Sequence, residues 1–211
     1  MREWNLYVIL TILIVHLIGF PIWSEHVTKI PLKEKINIDP AGSIETYINI
    51  PIPQRYELVL KFKREGHEFE HLKSLIGMWS YDKHKNVIPS GTRIPIFWEI
   101  TNPNTGEILL SSETESFGSV SWSKAEVGRL VAYIQVKPGR YKLKAKITKS
   151  VPEFKKIETY LQLSYNVKNG TTWQVSYAWI GAFLNIFIFP ILTILIVSIL
   201  IFKQYKRLTK R

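Results

Sequence analysis

Ala178–Phe202 reads AWIGAFLNIFIFPILTILIVSILIF and is followed at once by KQYKRLTKR. No charged residue occurs between Lys168 and Lys203. A helix of about 25 residues rises about 37 Å, enough to cross a hydrocarbon core of roughly 30 Å. The stretch therefore predicts a transmembrane helix over 178–202. Lys203, Lys206, Arg207, Lys210 and Arg211 form a basic tail, 203–211, that the positive-inside rule keeps in the cytoplasm.

The second uncharged run is Trp4–Ser24, WNLYVILTILIVHLIGFPIWS. Its apolar core exceeds the roughly 7–15 residues of a signal peptide, and the residues around Pro21 and Trp23 offer no small-x-small cleavage pattern. Residues 1–24 are expected to be an uncleaved signal anchor, with a cleaved signal peptide as the alternative. Trp4 and Tyr7 at one end and Trp23 at the other suit the two aromatic belts of a membrane span. With both termini cytoplasmic, residues 25–168 fall on the far side as one domain, joined to the second helix by a juxtamembrane linker, 169–177. A loop of that length translocates largely regardless of its charge.

The net charge of +11 needs partitioning before it is read as a nucleic-acid signal. Arg2 and the five tail residues supply six of the 28 cations and Glu3 one of the 17 acids, which leaves +6 on the central domain. That charge is scattered without a run of like sign, so nucleic acid is not an expected partner. There is no cysteine, which excludes disulfides and thiolate chemistry.

The central domain reads as all-β. Alternation or β-branched and aromatic enrichment marks seven segments: Ser43–Ile50, Tyr56–Lys63, Arg93–Thr101, Glu107–Glu113, Leu130–Val136, Tyr141–Thr148 and Thr159–Tyr165. Proline, glycine and asparagine turns separate them. Seven short strands at such spacing predict an immunoglobulin-like β-sandwich. Tyr56, Leu58, Leu60 and Phe62 would face inward, as would Tyr141, Leu143, Ala145 and Ile147, leaving Lys142, Lys144 and Lys146 in solvent. Pro138 and Gly139 predict a type II turn that delivers Tyr141 to a structural corner, its hydroxyl bonded back to the backbone. One short helix, Glu68–Trp79, interrupts the strands with Phe69, Leu72, Leu75, Ile76 and Trp79 on one face.

His67-Glu68-Phe69-Glu70-His71 matches H-E-x-x-H, in which two imidazoles one turn apart bind zinc and the glutamate activates its water. Both histidines lie opposite the apolar face, and only His84 follows as a further histidine. A solvated helix face is the preferred reading, with a zinc hydrolase using His67, Glu68 and His71 as the alternative. No phosphate loop or G-x-S-x-G elbow is present, and no cofactor is expected. Asp39 with Glu45, and Glu113 with Glu115, read as surface acids. Trp79, Trp98 and Trp122 read as core rather than as a sugar-stacking platform. Asn169-Gly170-Thr171 is formally a glycosylation sequon.

Among the polar residues of the membrane runs, His16 and Asn185 are the pair expected to meet. Counted from Trp23 and Tyr177, they sit at depths of about 10 and 12 Å in antiparallel helices. Each belongs to a face rich in small residues, Gly19 on the first helix and Ala178, Gly181 and Ala182 on the second. An interhelical hydrogen bond between them is expected.

Ile38–Ser43 (IDPAGS), Tyr56–Phe62, Leu75-Ile76-Gly77, Gly91–Ile96 (GTRIPI) and Pro138–Tyr141 together resemble a family of bacterial envelope domains of unknown function, over about 36–165. The resemblance implies a small β-sandwich and a bacterial envelope location, and it supplies no catalytic residues. The C-terminal span and basic tail depart from the family's usual pattern. The expected function is a membrane-anchored extracytoplasmic binding module in the bacterial inner membrane. Its expected partners are the lipid bilayer and an envelope protein or toxin, so it would serve as an envelope-complex subunit or an immunity protein. A glycan-binding module is the further alternative.

Overall fold

The computed structural model describes residues 3–66, 69–77, 80–81, 83–84, 87–88, 90–116, 118–165 and 172–209. The chain divides into a helical unit, Met1–Lys29 with Val167–Arg211, and a β unit, Ile30–Asn166.

The helical unit contains α1 (Glu3–Thr28), α3 (Trp173–Phe183) and α4 (Phe189–Leu208), with one π-helical stretch, Leu184–Ile188, joining the last two without a break. The first helix runs four residues past the expected boundary at Ser24, through Glu25 and His26. The second begins at Trp173, inside the expected linker, and continues to Leu208, inside the expected tail. Hydropathy marks the apolar middle of a helix, whereas its hydrogen-bonded ends extend into polar sequence. Leu6, Leu13 and Ile196 are buried together, with Leu10, Phe189 and Leu200 against them. Elsewhere both helices are apolar outward, Ile12, Ile18, Ile186 and Ile194 among them. Both are long and apolar enough to cross a membrane.

The β unit is mostly β, in two antiparallel sheets. Its strands are β1 (Leu32–Lys35), β2 (Ser43–Ile50), β3 (Arg55–Lys63), β4 (Ser80–Tyr81), β5 (Val87–Ile88), β6 (Ile94–Thr101), β7 (Ile108–Ser116), β8 (Ser119–Trp122), β9 (Glu126–Gln135), β10 (Gly139–Ile147) and β11 (Thr159–Ser164). One sheet has the order β1-β11-β3-β9-β8 and the other β2-β10-β6-β7, with β4 and β5 pairing as a separate ribbon. All seven expected segments form strands. Four further strands, β1 (LKEK) and β8 (SVSW) of four residues each and β4 and β5 of two residues each, are too short to show a period.

Alternation decides which face is covered. Tyr56, Leu58, Leu60 and Phe62 on β3, Ile94, Ile96, Trp98 and Ile100 on β6, and Leu143, Ala145 and Ile147 on β10 are all buried. Burying each large apolar side chain contributes about 1.5–3 kcal/mol. Tyr56 keeps its hydroxyl satisfied by donating to the Ile52 carbonyl at 3.3 Å, and burial pushes that hydroxyl up to about 12. Lys142 and Lys144 lie on the outer face, paired with Glu45 at 2.5 Å and Glu99 at 3.5 Å.

The short helix α2 spans Phe69–Ile76, three residues shorter at its C-terminal end than expected. Gly77 ends it: its φ of +75° is the left-handed cap conformation, and its N–H donates to the Lys73 carbonyl at 2.9 Å. Leu72 and Ile76 on it are fully buried.

Candidate functional site

In the helical unit the polar side chains of three helical turns meet. His16 Nδ1 stands 3.3 Å from Asn185 Oδ1, and His16 Nε2 stands 2.7 Å from the Tyr177 hydroxyl. An amide oxygen only accepts, so Nδ1 carries the proton; in the neutral ring Nε2 then accepts from Tyr177. Aromatic rings enclose the imidazole. Phe20 stacks on it at 5.4 Å between centroids, and Phe189 meets it edge-on at 4.6 Å. Toward the helix ends Trp23 stacks on Trp173 at 6.2 Å and meets Tyr177 at 5.3 Å. A cavity of about 270 Å³ lies between Gly19, Trp23, Trp173 and Tyr177.

The local backbone explains how Asn185 reaches this position. Phe189 N–H donates to the Leu184 carbonyl, an i to i−5 bond, and Pro190 has no N–H. The Asn185 carbonyl thus receives neither its α-helical nor its π-helical donor. Such bulges recur at functional sites. Close approach of the helices depends on Gly181, where an added Cβ would lie 2.3 Å from Phe20 Cε2. Val175, Ala178 and Gly181 form the buried face; Ala182, grouped with them from its sequence spacing, is only partly buried. Tyr177 was identifiable in the sequence only as an interfacial aromatic. It sits eight residues before Asn185, two turns away on the same face, and that spacing was the available signal.

In the β unit, Tyr141 donates its hydroxyl to the Lys137 carbonyl at 2.8 Å. Gly139 has a φ of +157°, far from the roughly +80° of a type II turn, so the corner is made by Pro138 leading into an extended Gly139. His67, Glu68, Trp79 and the sequon at 169–171 lie outside the described residues. His71 is on α2, whose Ser74 hydroxyl donates to the His71 carbonyl at 2.8 Å. Among the described residues no group of three His, Asp or Glu side chains is placed to hold a metal. Trp98 is buried, whereas Trp122 is 37% exposed and donates Nε1–H to Ser119 Oγ at 2.6 Å. The paired acids are surface ion pairs instead, Glu45 with Lys142 and Glu115 with Arg93 at 2.6 Å.

Arg129 on β9 is fully buried. Its Nη1 donates to the Thr92 carbonyl at 2.6 Å and its Nη2 to the Ser116 carbonyl. Nε and the neighbouring Ser116 Oγ have no hydrogen-bond partner. Burial pulls the guanidinium down to about 10. Arg129 is the one basic residue in EVGRLVAYIQ and stands two residues after the buried Val127, on the same face, and that is the sequence signal for it.

On the outer face, Lys63 at 2.6 Å and Lys35 at 3.5 Å share Glu158, which also accepts from the Tyr160 hydroxyl at 2.7 Å. The hydrogen bond from Lys63 first, then that from Tyr160, holds the Glu158 carboxyl at about 2. A carboxyl depressed in the folded state stabilises fully above its unfolded value, near 4.5, and that contribution is lost as pH falls toward about 2. Acid unfolding of Glu158→Gln should therefore show a weaker pH dependence between about 4.5 and 2 than the parent chain. Identical slopes would show that the pair does not act.

The family described as a domain of unknown function, DUF5625, matches residues 33–165. A crystal structure of a protein from Sulfurospirillum deleyianum is similar with a TM-score of 0.53 at 17% identity, covering 64% of this chain and 97% of that one. At that identity the likeness concerns the fold alone. No curated protein matches the chain.

Proposed function

Because the chain belongs to the DUF5625 family, a domain of unknown function, over residues 33–165, we propose that it is a membrane-anchored binding module. Its β unit would work on the periplasmic side of a bacterial inner membrane. The observation that carries this reading is the bracketing of the family region by two helices, each long and apolar enough to cross a bilayer. Helices that are apolar all round are costly in water and stable in lipid. The cluster Lys203, Lys206 and Arg207 at the end of α4 favours a cytoplasmic position for that end. Two crossings return the chain to the same side, so the segment before α1 is cytoplasmic too, and the protein is multi-pass.

The finer fold we propose is an immunoglobulin-like sandwich of the two sheets, supported by their alternating buried faces and by the Tyr141 hydroxyl bonded back to Lys137. Sandwiches of this kind present loops and edge strands to partners. A protein of the envelope is the partner class, which makes the chain a subunit of an envelope complex or an immunity protein against a toxin delivered there. Protease added to spheroplasts should digest the β unit while a reporter fused after Arg211 remains protected. Export of that reporter would exclude the hairpin.

A further inference from the structure

A cleft of about 460 Å³ opens in the β unit between β1, the end of β3 and the β8–β9 turn, walled by Lys33, Lys63, Arg64 and Lys124 with Glu65 and Glu126. Four cations and two carboxylates line it, and a third carboxylate, Glu158, pairs with Lys63 from outside the lining, so cations remain in excess. Contacts hold three of these cations, Lys33, Lys63 and Arg64. Lys33 pairs with Glu126 at 3.3 Å, Lys63 with Glu158 at 2.6 Å, and Arg64 Nη1 donates to the Ser123 carbonyl at 2.7 Å. The Lys33 and Lys63 ammonium groups lie 5.6 and 5.5 Å from the centroid of one ring, Tyr160. Lys124 has no ion-pair partner among the described residues.

We propose that this cleft binds a phosphate group, supplied either by free phosphate or by the headgroup of an anionic phospholipid. A planar carboxylate offers two oxygens in one plane. A phosphate offers its charge in several directions, which suits ammonium groups and a guanidinium converging from three chain segments. Free phosphate in its doubly charged form also competes with Glu126 for Lys33 better than a second carboxylate would, whereas a phosphodiester headgroup brings a single charge. The proposal rests on the reading of the chain as a binding module and is independent of its topology.

The test uses the full chain in neutral-detergent micelles, titrated with inorganic phosphate at constant ionic strength and followed by phosphorus NMR. A parallel arm uses phosphatidylcholine nanodiscs with and without phosphatidylglycerol. Saturable binding of inorganic phosphate assigns the free anion, and binding confined to phosphatidylglycerol assigns the lipid headgroup. Either way, Lys33→Gln with Lys124→Gln should weaken the affinity at least about tenfold, while Lys146→Gln, an exposed lysine on β10, changes it by less than about twofold. Thermal midpoints without ligand confirm that the variants fold. Absence of saturable binding in both arms overturns the proposal, as does an equal loss in Lys146→Gln. Either failure leaves the membrane anchor, tested by protease and reporter, untouched.

Discussion

Gly77→Ala is expected to prevent the β unit from folding. Two costs add at this position. At a φ of +75° an L side chain sits in the left-handed region, at about 1–2 kcal/mol. The larger cost is steric, because a Cβ on Gly77 would lie 2.0 Å from the Ser90 carbonyl oxygen and 2.3 Å from its carbon. Those are backbone atoms, and they cannot move away freely. Gly91 faces the same crossing, with φ at +81° and an added Cβ 2.5 Å from Gly77 N, while Thr92 N–H donates to the Leu75 carbonyl at 2.7 Å. The Thr92 carbonyl in turn receives Arg129. A loss above about 4 kcal/mol is therefore expected, the range reserved for strain and clash in a closed site. Urea unfolding of the full chain, followed by tryptophan fluorescence, reads it. A variant within about 1 kcal/mol of the parent would refute the crossing.

Gly181→Leu should separate the two membrane helices. Even the first added carbon meets Phe20 at 2.3 Å, and Phe20 is the ring stacked on His16. Displacing it breaks the His16 contacts with Asn185 and Tyr177, each worth about 0.6–2 kcal/mol in lipid. The chain has no cysteine, so His16→Cys with Asn185→Cys provides an unambiguous crosslinking readout in membranes. That pair should crosslink within one chain, and adding Gly181→Leu should reduce the yield about tenfold or more, because the clash with Phe20 persists in a background that already lacks His16; tenfold corresponds to about 1.4 kcal/mol. Undiminished crosslinking would show that the helices do not depend on this close approach.

These two positions also show what a sequence can and cannot reveal. Leu75-Ile76-Gly77 and Gly91-Thr92-Arg93 stand out as turn-like family residues. That the two glycines cross, fourteen residues apart, is a tertiary fact that no local period encodes. Ile38–Ser43 behaves the same way. It contains a cis Asp39–Pro40 bond, and its Gly42 N–H donates to Asn37 O while its carbonyl accepts from Ile147 N–H. Strands such as β3, β6 and β10 were legible because one covered face forces a period of two. β1 was not, because Leu32-Lys33-Glu34-Lys35 is too short and too charged to show one. Depth counting placed His16 and Asn185 within reach because helix rise is constant. Tyr177 escaped because counting used it as an anchor and not as a donor. The cleft at Lys33, Lys63, Arg64 and Lys124 escaped because its residues come from three separate segments.

Single-cysteine labelling in spheroplasts distinguishes the proposed topology, in which the family region lies across the membrane from the basic tail. Ser111 on β7 and Thr209 after α4 are both exposed. With a membrane-impermeant maleimide, Ser111→Cys should be labelled in intact spheroplasts and Thr209→Cys only after lysis. Labelling of Thr209→Cys in intact spheroplasts, or protection of Ser111→Cys, would exclude this topology.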